Sequence, residues 1–323
     1  MANDKRPEPG EIDLTREPTP VKPLAGADPE DHSRLDLFNQ HRSLLFSIAY
    51  RMLGTVTDAE DMLQDTFLRW QRVAEAEIES PRAFLVTIIS RLCINQLQSA
   101  RVKREEYVGQ WLPEPLLTEP SADFSDPIQI DETLSMAFLV LLERLNAVER
   151  AVFLLREVFD YEYSEIAEVV GRNEPDCRQT FSRARQHVNQ MRPRFEPSPK
   201  QHEDLLLQFR EATSNGDLQG LLALLSKDVI IYTDGGGKAR ALPRIIYGRE
   251  NVADSFMEGY KKYVPKDVIG RFAQINGQPG IINYHNGQAR TVITFDIEND
   301  YIDTIYVVTN PEKQGRLPSL FTQ

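Results

Sequence analysis

The stretch GRNEPDCRQTFSRARQHV, residues 171–188, gathers Arg172, Arg178, Arg183 and Arg185 into one short segment of a chain whose formal net charge is −12. A basic-coated protein binds DNA everywhere through counterion release, whereas an acidic body with one small basic patch fits DNA contact that is local and conditional. Immediately upstream lies SEIAEVV, a short helical pattern that ends at Gly171. Short helix, glycine turn and arginine-bearing helix together spell a helix-turn-helix, in which the first helix crosses the DNA backbone and the second enters the major groove. Arg178, Arg183 and Arg185 have the reach for phosphates or guanine edges, and Gln179 for an adenine. The segment alone equally fits an amphipathic helix with a solvated basic face. Pro175 is tolerated in a first helical turn.

Moving outward, apolar residues recur at helical spacing from about Leu35 to Leu53 and restart after Thr57, which with Glu60 forms a capping-box pattern. Ser80 before Pro81 opens another helix. Pro113, Pro115, Pro120 and Pro127 then mark an extended linker. Helical periodicity returns from Ile128 to Leu145, Asn146 with Glu149 caps the next helix, and Ser164 opens the short helix of the turn motif. Pro193, Pro197 and Pro199 close the all-helical part. Beyond Gln201 two helical stretches lead into VIIYT. After one more helix come GIINYHNG, QARTVITFDIEND and YIDTIYVVTN, β-branched and aromatic runs separated by Asn-Gly and Asn-Asp turns. Helices followed by a meander imply a separate α+β domain.

Composition removes several function classes. No apolar run approaches the roughly 20 residues of a membrane span. The polar, proline-rich residues 1–30 read as a disordered leader rather than a signal sequence. Cys93 and Cys177 stand alone, with neither metal-ligand spacing nor a disulfide framework, so no metal and no cofactor is expected and the expected location is the cytoplasm.

Three motifs in register, FNQHRSLLFSIAYRMLGTVTDAEDMLQDTFLRW, SPRAFLVTIISRLCINQLQSARVKRE and LNAVERAVFLLREVFDYEYSEIAEVVGRNEPDCRQTFSRARQHV, make residues 36–190 resemble the bacterial extracytoplasmic-function sigma factors. WLPEP (111–115), DGGGK (234–238) and NPEKQ (310–314) narrow the resemblance to the subgroup with a SnoaL-like C-terminal domain. It implies a multidomain chain: a disordered leader (1–30), an all-α region 2 bundle (31–106), a linker (107–126), an all-α region 4 helix-turn-helix (127–194) and a C-terminal α+β SnoaL/NTF2-like cone (195–323).

By the same resemblance the chain is a transcription initiation subunit whose partners are core RNA polymerase, through the β′ clamp helices and the β flap, and promoter DNA. Asp61, Gln64 and Asp65 fall to the clamp contact, which suits carboxylates and an amide on one helical face. Arg91, Arg101, Lys103 and Arg104 fall to phosphates around the −10 element, since no acidic residue lies among them. The loop RVAEAEIES before them is acidic and is assigned no base. Arg178, Gln179, Arg183 and Arg185 fall to the −35 element. Trp111, Leu112, Pro113, Glu114 and Pro115 are expected to dock on Asp234, Gly235, Gly236, Gly237, Lys238, Asn310 and Pro311, so that the extension regulates the sigma core in cis. The family motif more often ends in Asp-Lys-Leu where this chain has Glu312, Lys313 and Gln314.

An alternative of another class stays open. Some SnoaL-like cups are isomerases or cyclases with an Asp and His pair, and this cup offers Tyr232, Asp234, Tyr284, His285 and Asp296, or a site for a small ligand of unidentified class. His285 beside Asn286-Gly287 belongs to a turn, and no complete catalytic constellation is present, so the expectation is a non-enzyme.

Overall fold

A computed structural model describes residues 29–73, 78–105, 107–118, 132–189 and 199–320. The leader up to residue 28, the loop residues 74–77, linker residues 119–131 and residues 190–198 lie outside the described residues, as do the side chains of Arg101, Lys103 and Arg104.

The helical half begins with α1 (Pro29–Leu53), α2 (Val56–Trp70) and α3 (Pro81–Glu105). The cap of α2 is Thr55, not Thr57: its hydroxyl accepts from Asp58 N at 3.3 Å. Gly54 ends α1 with φ +76° and hands Thr55 an extended backbone, which places Thr57 already inside the first turn. Ser80 does cap α3, accepting from Ala83 N at 3.3 Å. The helix expected over 128–145 is shorter. Ser135 takes an extended ψ of 150° and caps α4 (Met136–Leu142), and a 3-10 turn (Glu132–Leu134) precedes it. The α5 helix (Ala147–Glu157) carries the expected Asn146/Glu149 capping box. In α6 (Tyr163–Val170) the capping pair is Glu162 with Glu165, two residues earlier than Ser164, and Gly171 closes the helix at φ +66°. The recognition-type helix is α7 (Glu174–Asn189). Tyr50, Trp70, Leu85 and Ile89 from the first three helices share one continuous core with Val152, Leu155 and Ile166 from α5 and α6.

The C-terminal half contains α8 (Pro199–Asn215), α9 (Leu218–Leu224), β1 (Leu225–Asp234), β2 (Ile246–Tyr247), α10 (Arg249–Tyr263), β3 (Ile269–Ile275), β4 (Gln278–His285), β5 (Gln288–Glu298) and β6 (Tyr301–Val308). They form one six-stranded sheet in the order β2-β1-β6-β5-β4-β3, with β1 parallel to β6 and every other pair antiparallel. Two features differ from the sequence pattern. LSKD, expected as the tail of a helix, opens β1, because Leu225 pairs with Ile302 instead of completing the Leu221–Leu224 helical spacing. IGRFAQI forms β3 although Gly270 and Arg271 break its β-branched run.

One face of the sheet packs on its own helices through Leu206, Phe209, Leu221, Val252, Ile293, Phe295, Ile305 and Val307. The opposite face, with Ala273, Ile275, Ile282, Tyr284, Val292, Tyr306 and Val308, packs on Leu112 of the linker and Met136 of α4, flanked by Ala137 and Val140. The linker even extends the sheet. Leu117 bridges Ile275 in antiparallel register, and Thr118 N donates to Gln274 O at 2.8 Å. The curved sheet thereby brings WLPEP, the glycine loop after β1 and the segment after β6 to one place.

A candidate interdomain lock and the candidate DNA-binding helices

Asp234 ends β1 fully buried, and buried carboxylates require partners. It has four. Leu112 N donates to Oδ2 at 2.9 Å, Lys313 Nζ to the same oxygen at 2.7 Å, Tyr107 OH to Oδ1 at 2.6 Å, and Gly236 N to Oδ1 at 3.0 Å. Lys313 also donates to Leu112 O and lies 4.2 Å from the centre of the Trp111 ring. Asn310 Nδ2 donates to Tyr107 OH at 2.9 Å. Burial, and then the adjacent carboxylate, push the Tyr107 phenol up, which keeps it a proton donor to Asp234. Gly236 has φ +59°, and a Cβ there would collide with the Asn310 amide, so the loop approaches this closely only as glycine. Lys238 pairs with Glu312 beside it, and Gly237 packs against Val108.

On its other side the strip seats on region 2. Trp111 covers Gly54, where a Cβ would sit 2.5 Å from the indole Cη2. Glu114 N donates to Gly54 O at 2.8 Å, and the Glu114 carboxylate accepts from Val56 N at 2.8 Å. A linker carboxylate thus sits at the N-terminus of α2, where the helix dipole favours negative charge. Burial nonetheless raises its pKa. Pro113 and Pro115 are buried and supply no N–H that needs a partner.

Asn276, in the β3–β4 turn at φ +53° and 1% exposed, joins all three parts. Its side chain accepts from Leu116 N at 3.0 Å and donates to Tyr50 OH at 2.7 Å and to Leu134 O at 3.1 Å. Tyr50 OH in turn donates to Glu114 O at 2.6 Å. Arg316 forks onto Glu60 of α2, with one contact at 2.8 Å. The sequence reading missed Tyr50, Tyr107, Asn276 and Arg316. It had Lys313 only inside NPEKQ, and the departure from Asp-Lys-Leu leaves the buried cation in place. An Asn-Gly turn reads as hairpin chemistry alone, so Asn276 carried no signal.

The remaining expected residues fall into two groups. Asp61, Gln64 and Asp65 are exposed on one face of α2, with Met62, Leu63 and Thr66 buried on the other. Gln179, Arg183 and Arg185 are exposed on α7, opposite buried Cys177, Thr180, Ala184 and Val188. Arg178 pairs with Glu174 at 3.0 Å and stacks on Tyr163, and Arg185 lies 3.9 Å from Glu157. Arg91 is engaged elsewhere. Its guanidinium donates to the carbonyls of Val169 at 3.0 Å and Glu168 at 2.6 Å, at the C-terminal end of α6, where unpaired carbonyls favour a cation. Arg82 lies over the Tyr161 ring, 5.5 Å from its centre.

The residues weighed for catalysis are dispersed. Asp234 belongs to the lock. His285 ends β4 and faces Asp267 at 3.4 Å. Asp296 lies mid-sheet, its carboxyl raised to about 7 by burial and then by Asp303. Tyr232 and Tyr306 stack on each other, their ring centres 5.7 Å apart.

Family models for Sigma-70 region 2 and Sigma-70, region 4 match residues 37–102 and 135–188. Over 296 residues the chain is 33% identical to ECF RNA polymerase sigma factor SigJ of Mycobacterium tuberculosis, covering 87% of this chain and 92% of that one. Over 274 residues it is 32% identical to the probable ECF RNA polymerase sigma factor SigI of the same organism, covering 84% and 91%. The crystal structure of the Mycobacterium tuberculosis extracytoplasmic function sigma factor SigJ superimposes with a TM-score of 0.72 at 31% identity, covering 88% of this chain and 99% of that chain.

Proposed function

The chain belongs to the extracytoplasmic-function RNA polymerase sigma factors, and from that membership we propose that its C-terminal domain governs promoter recognition by holding the linker between regions 2 and 4. Core RNA polymerase binds the exposed Asp61, Gln64 and Asp65 through its β′ clamp helices, and region 4 through its β flap. The α7 face of Arg178, Gln179, Arg183 and Arg185 reads the −35 element, and α3 with Arg91, Arg101, Lys103 and Arg104 holds the DNA around the −10 element. The protein acts in the cytoplasm and not as an enzyme. In keeping with this, no helix among the described residues is long and apolar enough to cross a membrane, and Asp234, one of the aspartates weighed for an Asp and His pair, is engaged by Lys313 and Tyr107.

The observation that carries the regulatory reading is the buried Asp234–Lys313 pair closed over the Leu112 peptide. Because the same strip binds Gly54 and Val56 on one side and the sheet on the other, and α4 packs on that sheet too, its seating adds to the shared helical core in setting where regions 2 and 4 lie relative to each other. In this arrangement the exposed Arg91 guanidinium spends its Nε and one terminal nitrogen on α6. Opening would free those donors for a phosphate. A ligand or polymerase shifts that equilibrium only by its preference for the open state.

The test uses dyes at Arg69→Cys and Gln186→Cys, both exposed positions, since the native Cys93 and Cys177 are buried and inert to labelling. Energy transfer and in vitro transcription with core polymerase are compared for the otherwise native chain and for Trp111→Ala. The expected outcome is a longer distance and altered promoter output with polymerase binding retained. Unchanged distance and output overturn cis control through this strip.

A further inference from the structure

We infer that the C-terminal domain carries its own contact surface for the phosphate backbone of DNA, built from the loop after β1 and the last turn of α10. The inference rests on the reading of α3 as a DNA-contacting helix. From Gly235 to Arg249 the chain holds Lys238, Arg240, Arg244 and Arg249 with no acidic residue, and from Gly259 to Lys266 it holds Lys261, Lys262 and Lys266 with none. The fold joins the two segments. The Arg240 guanidinium stacks 4.4 Å from the centre of the Tyr263 ring, and Lys262 Nζ lies 5.3 Å from the same ring.

Two of these cations are occupied: Lys238 pairs with Glu312, and Arg249 Nε donates to Ser226 O. Arg240, Arg244, Lys261, Lys262 and Lys266 are exposed and have no carboxylate partner among the described residues. The acidic groups of α10, Glu250, Asp254 and Glu258, precede its last turn, and Asp267 faces His285. In a chain of net charge −12, an uncompensated cationic patch runs against the average and marks a polyanion surface. The aromatic component fits the same ligand. Tyr263 and Tyr247 are 48% and 57% exposed, and a guanidinium stacked on a tyrosine keeps its N–H edge free for two phosphate oxygens. Exposed tyrosine faces also stack on unpaired bases.

Position selects DNA over other polyanions. Gly237 packs so closely on Val108 that a Cβ at the glycine would lie 3.1 Å from the valine Cβ. Val108 follows the end of α3 at Glu105 by three residues, a reach of about 10 Å at most. The loop therefore adjoins the end of the helix whose sequence ARVKRE is basic, which puts the patch beside the DNA path proposed for α3.

The test is Arg240→Glu with Lys262→Glu in the full chain, alongside the conservative Arg240→Lys with Lys262→Arg. Binding to promoter fragments is measured with core polymerase, and binding to a non-promoter duplex with the free chain. Charge reversal is expected to weaken both about tenfold or more at 0.1 M salt and to lower the salt slope by about 2, while the conservative pair keeps the slope. The dye distance between positions 69 and 186 is expected to stay unchanged, which separates lost DNA contact from an opened lock. The free-chain arm reads the patch even where the polymerase reading fails. Equal affinity and slope for the charge-reversed and native chains overturn the inference, as does an effect confined to phosphatidylglycerol vesicles.

Discussion

The two faces of the C-terminal sheet are built from the same strands and differ in what they bury. The face toward α8, α9 and α10 is mainly aliphatic and aromatic, with Phe209 wedged edge-on against Phe256 and Phe295 at 5.0 and 4.6 Å. The face toward the linker and α4 mixes Ile275, Ile282 and Val292 with Tyr232, Tyr284 and Tyr306, and its border carries Asp234, Asn276, Lys313 and Gln314, all buried and hydrogen-bonded. A mainly apolar face gains little from water and stays closed, whereas a face of tyrosines and paired polar groups can be rehydrated at moderate cost. Interfaces that open resemble the second kind. Under the proposed cis control, the sheet is a permanent wall on one side and a releasable one on the other.

The largest expected effect breaks the permanent side. Phe209→Ala leaves a cavity between two rings and is expected to cost about 3–5 kcal/mol of C-terminal domain stability, read by urea unfolding. Next comes Lys313→Met, which takes the paired cation from the buried Asp234 charge and leaves it three neutral donors. It is expected to weaken docking of the linker by about 3 kcal/mol, read as faster amide exchange at Leu112 and Glu114, with the Phe209 core unaffected. Adding Asp234→Asn to Lys313→Met is expected to return most of that loss. Asn276→Ala leaves Leu116 N and Leu134 O unpaired and is expected to cost about 2 kcal/mol by the same exchange measurement. Arg316→Ala removes an exposed ion pair to Glu60 and is expected to cost less than about 1 kcal/mol, an effect that vanishes in high salt.

The smallest net effect is one of pH, because two buried groups in this domain respond in opposite senses. His202 in α8 is lowered from 6.5 to about 4 by burial. Its contribution to stability is full above 6.5 and lost as pH falls toward 4. Asp296 on the linker-facing side is raised from 3.8 to about 7, so its contribution is full below 3.8 and lost as pH rises toward 7. Between pH 4 and 6.5 the two slopes oppose. His202→Leu is expected to make stability fall with pH across this window, and Asp296→Asn to make it rise, both read from melting temperatures.

These two faces also explain what could be read in advance. Helix caps and turns are local, so Asn146 with Glu149, Ser80 before Pro81, Gly171 and the turn at Asn286-Gly287 were legible from a few residues each. The inward face of β5 was legible too, from the alternation Ile293, Phe295, Ile297. The linker-facing side was legible only where a family motif marked it, at WLPEP, DGGGK and NPEKQ. Asn276 and Tyr50 are 226 residues apart and meet through tertiary structure alone. Leu225 was misplaced because a leucine continues a helical pattern as well as it starts a buried strand.

The lock has a direction in time. Lys313 closes on Leu112 across 201 residues of chain. At about 5–20 residues per second, a ribosome needs roughly 10–40 s to make that span. Regions 2 and 4 emerge before any part of the C-terminal sheet exists to receive the linker. Each newly made molecule therefore passes through an interval in which the helices of regions 2 and 4 are made but not yet tied to the sheet, and that tie arrives last, as a maturation step. Nascent chains and finished protein are two populations of the same sequence, and slower elongation through the C-terminal domain lengthens the life of the first.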